Sequence, residues 1–305
     1  NDYFVWLDKQ SYAGCVVATY AKATSAKVYA SDPFSDLAVL KIDAENLQPI
    51  RFSQKELRKG QFVVALGNPH SIARDGQASA SWGIISNLNR IAPNPDGSPT
   101  ANKETIHQYG TLIQTDAKLN FGTSGGALIN LKGEMIGLTT SLAAVSGLEQ
   151  SAGFAIAVDD TFLRVVESLK LGKLPEYGFL GIQPEELRSV DKARGFNGAR
   201  VSVVIPGLPG ENAGLRADDI IFQINDRKIL DRNDLFRELS RAAAGQQLQL
   251  RVQRWLPGRT SPEILQVPAD LSKKYVASLR PGYAIHNQTA WRGMLVEYAT
   301  AMPAE

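Results

Sequence analysis

The chain has 305 residues, enough for about two domains. Its 44% hydrophobic and 21% charged content is that of an ordinary globular protein, and 33 basic against 31 acidic side chains give no bulk attraction to nucleic acid or an anionic membrane. A single cysteine excludes an intrachain disulfide, three scattered histidines offer no metal cluster, and no apolar run approaches the ~18 residues of a membrane span, so neither metal nor cofactor is expected.

In chain order, residues 3–7, 14–18 and 26–30 read as strands, with Cys15 a buried strand residue in Gly-Cys-Val-Val. Asp36 opens Asp-Leu-Ala-Val-Leu-Lys-Ile, an apolar run long enough for a buried strand. A carboxylate at that mouth is either a cap or turn residue or the acid that orients a catalytic histidine. Residues 89–109, with Pro93, Pro95, Pro99 and His107, read as a polar surface loop. Over residues 1–158, short β-rich runs separated by Gly, Pro, Asn and Asp give the pattern of an all-β barrel or sandwich.

Ser124 stands in Gly-Thr-Ser-Gly-Gly, between a polar turn and a strand. The glycines free the backbone for φ > 0 and tight folding. Such a turn exposes the serine hydroxyl while its own N–H and that of Gly122 point into one space, the donor pair an acyl-transfer oxyanion needs. A glycine-rich hairpin with an incidental serine is the alternative. A phosphate loop is disfavoured, because the Gly-x-x-x-x-Gly-Lys-Ser/Thr spacing is absent.

Asp159 and Asp160 then precede a helix with Phe162, Val165, Val166 and Leu169 on one face, stopped by Gly172 and Pro175. A second pattern starts at Tyr177. It contains Gly178-Phe-Leu-Gly-Ile182, a Pro209-to-Ile221 block, a turn at Asn225-Asp226, and a helix carrying Leu235, Leu239 and Ala243. Asn233 is the expected cap of that helix and Gly245 its end, with strands at 247–255 and 263–267 closing the domain.

These pieces together resemble the HtrA/Deg family of trypsin-like serine proteases followed by a PDZ domain. The matching segments are residues 31–42, Ala-Leu-Gly-Asn-Pro (65–69), Gly-Ile-Ile-Ser (83–86), the Ser124 block, Gly-Phe-Ala-Ile-Ala (153–157) and the Gly178 and Pro209 blocks, where Asp218 replaces a usual glycine. The resemblance implies a mainly β fold: a trypsin-like double β-barrel over residues 1–170 and an α+β PDZ domain over 174–270. Residues 271–305 would be a C-terminal extension or the start of a second PDZ-like unit. It further implies Ser124 as nucleophile, Asp36 as the acid of the triad, and Gly122, Thr123 and Ser124 as the oxyanion hole. Lys118 would line the substrate pocket where a small residue is usual, and Phe121 replaces a common proline. Phe179, Leu180, Gly181 and Ile182 would form the loop that captures a peptide carboxylate. Unfolded or misfolded proteins, peptide C-termini and further copies of the chain are the implied partners, in a periplasmic or other extracytoplasmic location.

The resemblance leaves one gap. A catalytic serine needs a base, and no Thr-Asn-x-His-like motif precedes Asp36. His70, His107 and His286 read as structural or solvated. A chain that starts after the histidine is the simplest expectation, which makes this piece itself inactive. The rival readings are a catalytically silent peptide-binding scaffold and a chaperone-like holdase.

Overall fold

The computed structural model describes residues 2–4, 16–19, 22–43, 48–53, 55–68, 78–91, 105–120, 122–140, 153–276 and 282–286. Cys15, His70, Phe121 and the three prolines at 93–99, all singled out above, lie outside the described residues. By its contacts the chain divides into two units. One is Asn1–Pro175 with Ala277–Thr289, and Glu176–Val276 is the main part of the other.

The first unit opens with β1 (Asp2–Phe4), β2 (Val16–Thr19), β3 (Lys22–Asp32) and β4 (Leu37–Ile42). β4 pairs antiparallel with β1 and β3, and β2 folds back on β3. Leu37–Leu40 are buried on both faces, as their unbroken apolar run requires. A closed barrel follows: β5 (Phe62–Gly67), β6 (Ser79–Arg90), β7 (Leu112–Thr115), β8 (Ala127–Asn130), β9 (Met135–Thr140) and β10 (Gly153–Ala157), in the spatial order β10-β7-β6-β5-β8-β9. Val63, Ala65, Ile85, Ile113, Leu128, Ile136 and Ala155 fill its interior. Closure leaves no strand edge exposed.

The surface loop expected at 89–109 is corrected at both ends. Asn89 and Arg90 extend β6, and residues 106–109 form a 3₁₀ turn with Ile106 and His107 buried. The misleading signal was polarity, because His107 is buried with both ring nitrogens hydrogen-bonded. Helix α1 (Asp160–Lys170) closes this stretch, with the Asp159 carboxylate accepting the Phe162 N–H at 3.0 Å as its cap. Phe162, Val165, Val166 and Leu169 are buried, as their spacing requires.

The second unit contains β11 (Gly178–Phe179), β12 (Ile182–Glu185), α2 (Ser189–Ala193), β13 (Ala199–Val204), α3 (Pro209–Asn212), β14 (Ile220–Ile224), β15 (Arg227–Lys228), α4 (Arg232–Arg241), β16 (Gln247–Arg254), β17 (Glu263–Asp270) and β18 (Ser272–Lys273). Its main sheet runs β12-β13-β14-β16-β17, with β15 on β14 and a separate β11–β18 pair. Asp231 caps α4, taking the Asp234 N–H at 2.8 Å, so the cap stands two residues before the expected Asn233. Asp218 keeps the left-handed backbone of the glycine it replaces (φ 68°), and its carboxylate meets Arg200 at 3.1 Å. The next residue, Asp219, is buried and grips Arg254 through two bonds of 2.8 and 2.7 Å.

After β18 the chain returns to the first unit. Strand β19 (Tyr283–Ala284) pairs with Ser31 and Ala30 of β3, and the His286 N–H donates to Gly172 O at 2.9 Å. Residues 283 and 284 thus extend the β3 edge, with Ala284 buried.

Candidate functional site

Asp36 ends a tight turn between β3 and β4. The buried Asp32 carboxylate builds that turn, accepting the N–H groups of Phe34 (3.3 Å) and Ser35 (3.0 Å) and the Ser35 hydroxyl (2.6 Å). Asp36 itself sits at φ 57°, a left-handed conformation that aspartate tolerates better than most residues. The 3₁₀ turn braces the same loop from the other side. Ile106 N–H donates to Phe34 O at 3.0 Å, and His107 Nε2 lies 3.0 Å from Ser35 O.

His107 cannot serve as a base in this arrangement. A carbonyl only accepts, so Nε2 carries the proton, and the Nδ1 lone pair then takes the Thr111 hydroxyl at 2.7 Å. Burial pushes the pKa of His107 down to about 4, against the opposing pull of the Ser35 carbonyl. His286 faces the Tyr29 hydroxyl at 3.4 Å instead of the serine.

The Ser124 turn is held by its own backbone and by one threonine. Gly125 N–H donates to Thr139 O (2.8 Å), Gly126 N–H to Thr123 O (2.9 Å) and Thr139 N–H to Gly126 O (2.9 Å). The Thr139 hydroxyl lies 2.5 Å from Thr123 O and 3.1 Å from Gly126 O. Gly122 and Gly125 adopt φ of 92° and 85°, which only glycine does without strain. Gly126 is needed for a different reason, since a Cβ there would stand 2.1 Å from Leu66 O.

This geometry leaves the N–H groups of Gly122 and Ser124 without an acceptor among the described residues. Thr123 differs from the expectation. Its N–H donates to Asn120 O at 3.1 Å, so the donors without an acceptor among the described residues are two and not three. The Ser124 side chain is partly buried and has no hydrogen-bond partner among the described residues. The Lys118 side chain is exposed, and its carbonyl takes the Ser81 hydroxyl at 2.7 Å. Asp116 fixes the approach to the turn by accepting the Ile84 N–H at 2.7 Å. Asp36 comes from the open sheet and Ser124 from the closed barrel, so the unit's two β-systems each contribute one of the expected catalytic side chains.

A second backbone cradle lies in the other unit. Leu180 is buried, and its carbonyl takes the Gly210 N–H at 2.6 Å. Gly181 (φ 75°) has the Leu208 side chain against it, 2.4 Å from where a Cβ would be, and its carbonyl takes the Ile205 N–H at 3.0 Å. The N–H groups of Leu180 and Gly181 have no acceptor among the described residues. Phe179 is tied into the β11–β18 pair. Ile182 begins β12 and packs on the unit's core.

Residues 8–138 match a trypsin-like peptidase domain, and residues 200–254 match a PDZ domain. A probable periplasmic serine protease do/HhoA-like of Haemophilus influenzae is 37% identical over 232 residues, which cover 74% of this chain and 46% of the relative. The chain belongs to the HtrA/Deg family. The periplasmic pH-dependent serine endoprotease DegQ of Escherichia coli is 35% identical over 260 residues, 83% of this chain and 52% of that protein. Among solved structures, the HtrA-type protease AlgW with a tripeptide has a TM-score of 0.63 and 29% identity, covering 84% of this chain and 79% of that one. The chain spans about half the length of the curated relatives it matches.

Sequence reasoning missed the residues that brace these turns: Asp32, Asp116 and Thr139 in the first unit, and Leu208 in the second. Thr139 carried the best signal, since a paired Thr-Thr ends a strand shortly after the serine block. Asp32 could have been read as the first residue of an Asx turn in Asp-Pro-Phe-Ser.

Proposed function

We propose that the chain carries the nucleophile and acid of an HtrA-type serine endopeptidase that acts on unfolded or misfolded proteins. The observation that carries this reading is that the N–H groups of Gly122 and Ser124 have no acceptor among the described residues, in a turn pinned by Thr139. In the proposed reaction Ser124 Oγ attacks the scissile carbonyl as a base removes its proton. The carbonyl oxygen gains charge and is held by the two N–H groups, which need no reorganisation to receive it. Collapse breaks the C–N bond, the base returns the proton to the departing amine, and the acyl-enzyme left behind is hydrolysed by water. Asp36 would orient the base and stabilise its charged form. That base is neither His107 nor His286.

In the same reading the PDZ unit holds an extended peptide by its free C-terminus, with Leu180 and Gly181 N–H groups as donors to the carboxylate. The AlgW structures with a tripeptide and with a decapeptide support peptide binding as an HtrA trait. An extracytoplasmic location is supported by relatives named periplasmic. No described helix is long and apolar enough to cross a membrane.

The test is turnover of unfolded casein by a protein in which the base is present. Ser124→Ala should abolish cleavage with the fold retained, and Asp36→Asn should lower kcat by up to ~10⁴. Full activity in Ser124→Ala would refute the nucleophile. A second reading, a catalytically silent peptide-binding scaffold, draws on the engaged ring nitrogens of His107. It predicts peptide binding with no turnover in any form of the protein.

A further inference from the structure

Strand β12 is an edge strand with β13 on one side only, and it contains Pro184. The phase of the ladder tells which way each backbone group faces. Gly181 O accepts the Ile205 N–H at 3.0 Å, so these two residues face each other through their backbones. The next pair, Ile182 with Val204, is then a non-hydrogen-bonded one, and the Ile182 N–H and C=O point to the free edge. Beyond a bulge between Gln183 and Pro184, Pro184 pairs with Val201. Val201 spends its N–H on Asp219 O and its C=O on Asp218 N–H, each at 2.8 Å and on the side away from β12. This pair is also non-hydrogen-bonded, so the Pro184 backbone faces the free edge as well.

A proline there offers a carbonyl and no donor. A peptide strand added along this edge would meet a complete rung at Ile182 and a half rung at Pro184. We propose that the groove of this PDZ unit is built for short C-terminal ligands, and that Pro184 ends recognition at the third residue from the ligand's C-terminus. The proposal rests on the carboxylate-capture reading above. The ligand carboxylate takes the N–H groups of Leu180, Gly181 and Ile182. The N–H of the last ligand residue donates to Ile182 C=O, and that of the third-last residue donates to Pro184 C=O. The carbonyl of that third-last residue finds no N–H and stays with water. An antiparallel hydrogen-bonded pair normally exchanges two bonds, so the ladder loses half of its second rung, one residue before β12 ends at Glu185.

Calorimetry on the 305-residue chain carrying Ser124→Ala, to prevent cleavage, tests this. The probes are acetylated peptides of two, three and six residues, all ending in Ala-Val with a free carboxylate, and a C-terminally amidated six-residue control. The expected result is less than a twofold change in Kd between three and six residues. Pro184→Ala should tighten all three acid ligands about two- to tenfold, the worth of one restored hydrogen bond, because the acetyl carbonyl of the two-residue ligand stands where the third-last carbonyl does. A tenfold gain from three to six residues in the native chain overturns the proposal, as does a folded Pro184→Ala with unchanged affinities. If Pro184→Ala fails to fold, the length series on the native chain decides alone. Equal binding of acid and amide, or no binding of any probe, overturns the underlying carboxylate reading and the proposal with it.

Discussion

Two turns present backbone N–H groups with no acceptor among the described residues, those of Gly122 and Ser124 in one and of Leu180 and Gly181 in the other, and they are braced differently. The serine turn is held by hydrogen bonds that converge on Thr139, and Gly126 has no room for a side chain. The other turn is held mainly by packing, with Leu180 in the core and Leu208 across Gly181. The difference matches their proposed tasks. An oxyanion exists only briefly, so its donors must already be fixed when charge appears. A peptide carboxylate is a permanent charge, and its loop needs only an apolar floor and open donors. The second turn is also self-sufficient, whereas the first needs a base that His107 and His286 do not supply.

The strongest way to break the first turn is Gly126→Ala. Its Cβ would stand 2.1 Å from Leu66 O, a backbone atom that cannot swing aside. Overpacking of this kind costs about 3 kcal/mol. Chemical denaturation should show that loss, and Gly133→Ala, which meets open space and carries only the strain of its φ of 74°, should show less.

The brace behind Asp36 should be sensitive to pH. In the unfolded chain His107 titrates near 6.5 and in the fold near 4, so the unfolded state holds more protons between those values. The stabilisation is complete above pH 6.5 and is lost as pH falls toward 4, by about 3 kcal/mol in all. Thermal melts of the native chain and of His107→Gln over pH 4 to 7 check this. The native-minus-variant difference isolates His107 from neighbours such as Asp159, which lines the same small cavity. A flat difference would mean that His107 does not stay neutral in the fold.

Thr139→Val removes the hydroxyl that reaches Thr123 O and Gly126 O at nearly constant shape. A loss of about 1–3 kcal/mol is expected in denaturant melts. In a protein that carries the base, kcat should fall more than KM changes. The smallest effect is expected at the other turn. Gly181→Ala forces a side chain onto φ 75° against Leu208 and should weaken binding of an acid peptide about tenfold, while the melting temperature moves by a few degrees.

The fold was legible where the pattern was strong. The apolar run after Asp36, the Gly-Thr-Ser-Gly-Gly turn and the amphipathic helix after Asp159 all stand where their residues imply. Legibility failed where the partner is distant in sequence. His107 could be read only as structural or solvated because its partner, Ser35 O, lies 72 residues away, and Tyr283–Ala284 carried no sign of pairing with Ala30 and Ser31. The role of Thr123 was misjudged for the opposite reason. A local bond to Asn120 took its N–H, and the motif alone does not reveal which peptide of a turn faces inward.

The most direct test of the central contrast is casein turnover by residues 1–305, measured beside the same chain carrying Ser124→Ala. The account predicts background cleavage from both, because the serine turn is formed but neither described histidine can take its proton. Cleavage by the native chain at the rate of an active HtrA protease, abolished by Ser124→Ala, would contradict it and place a working base within these residues.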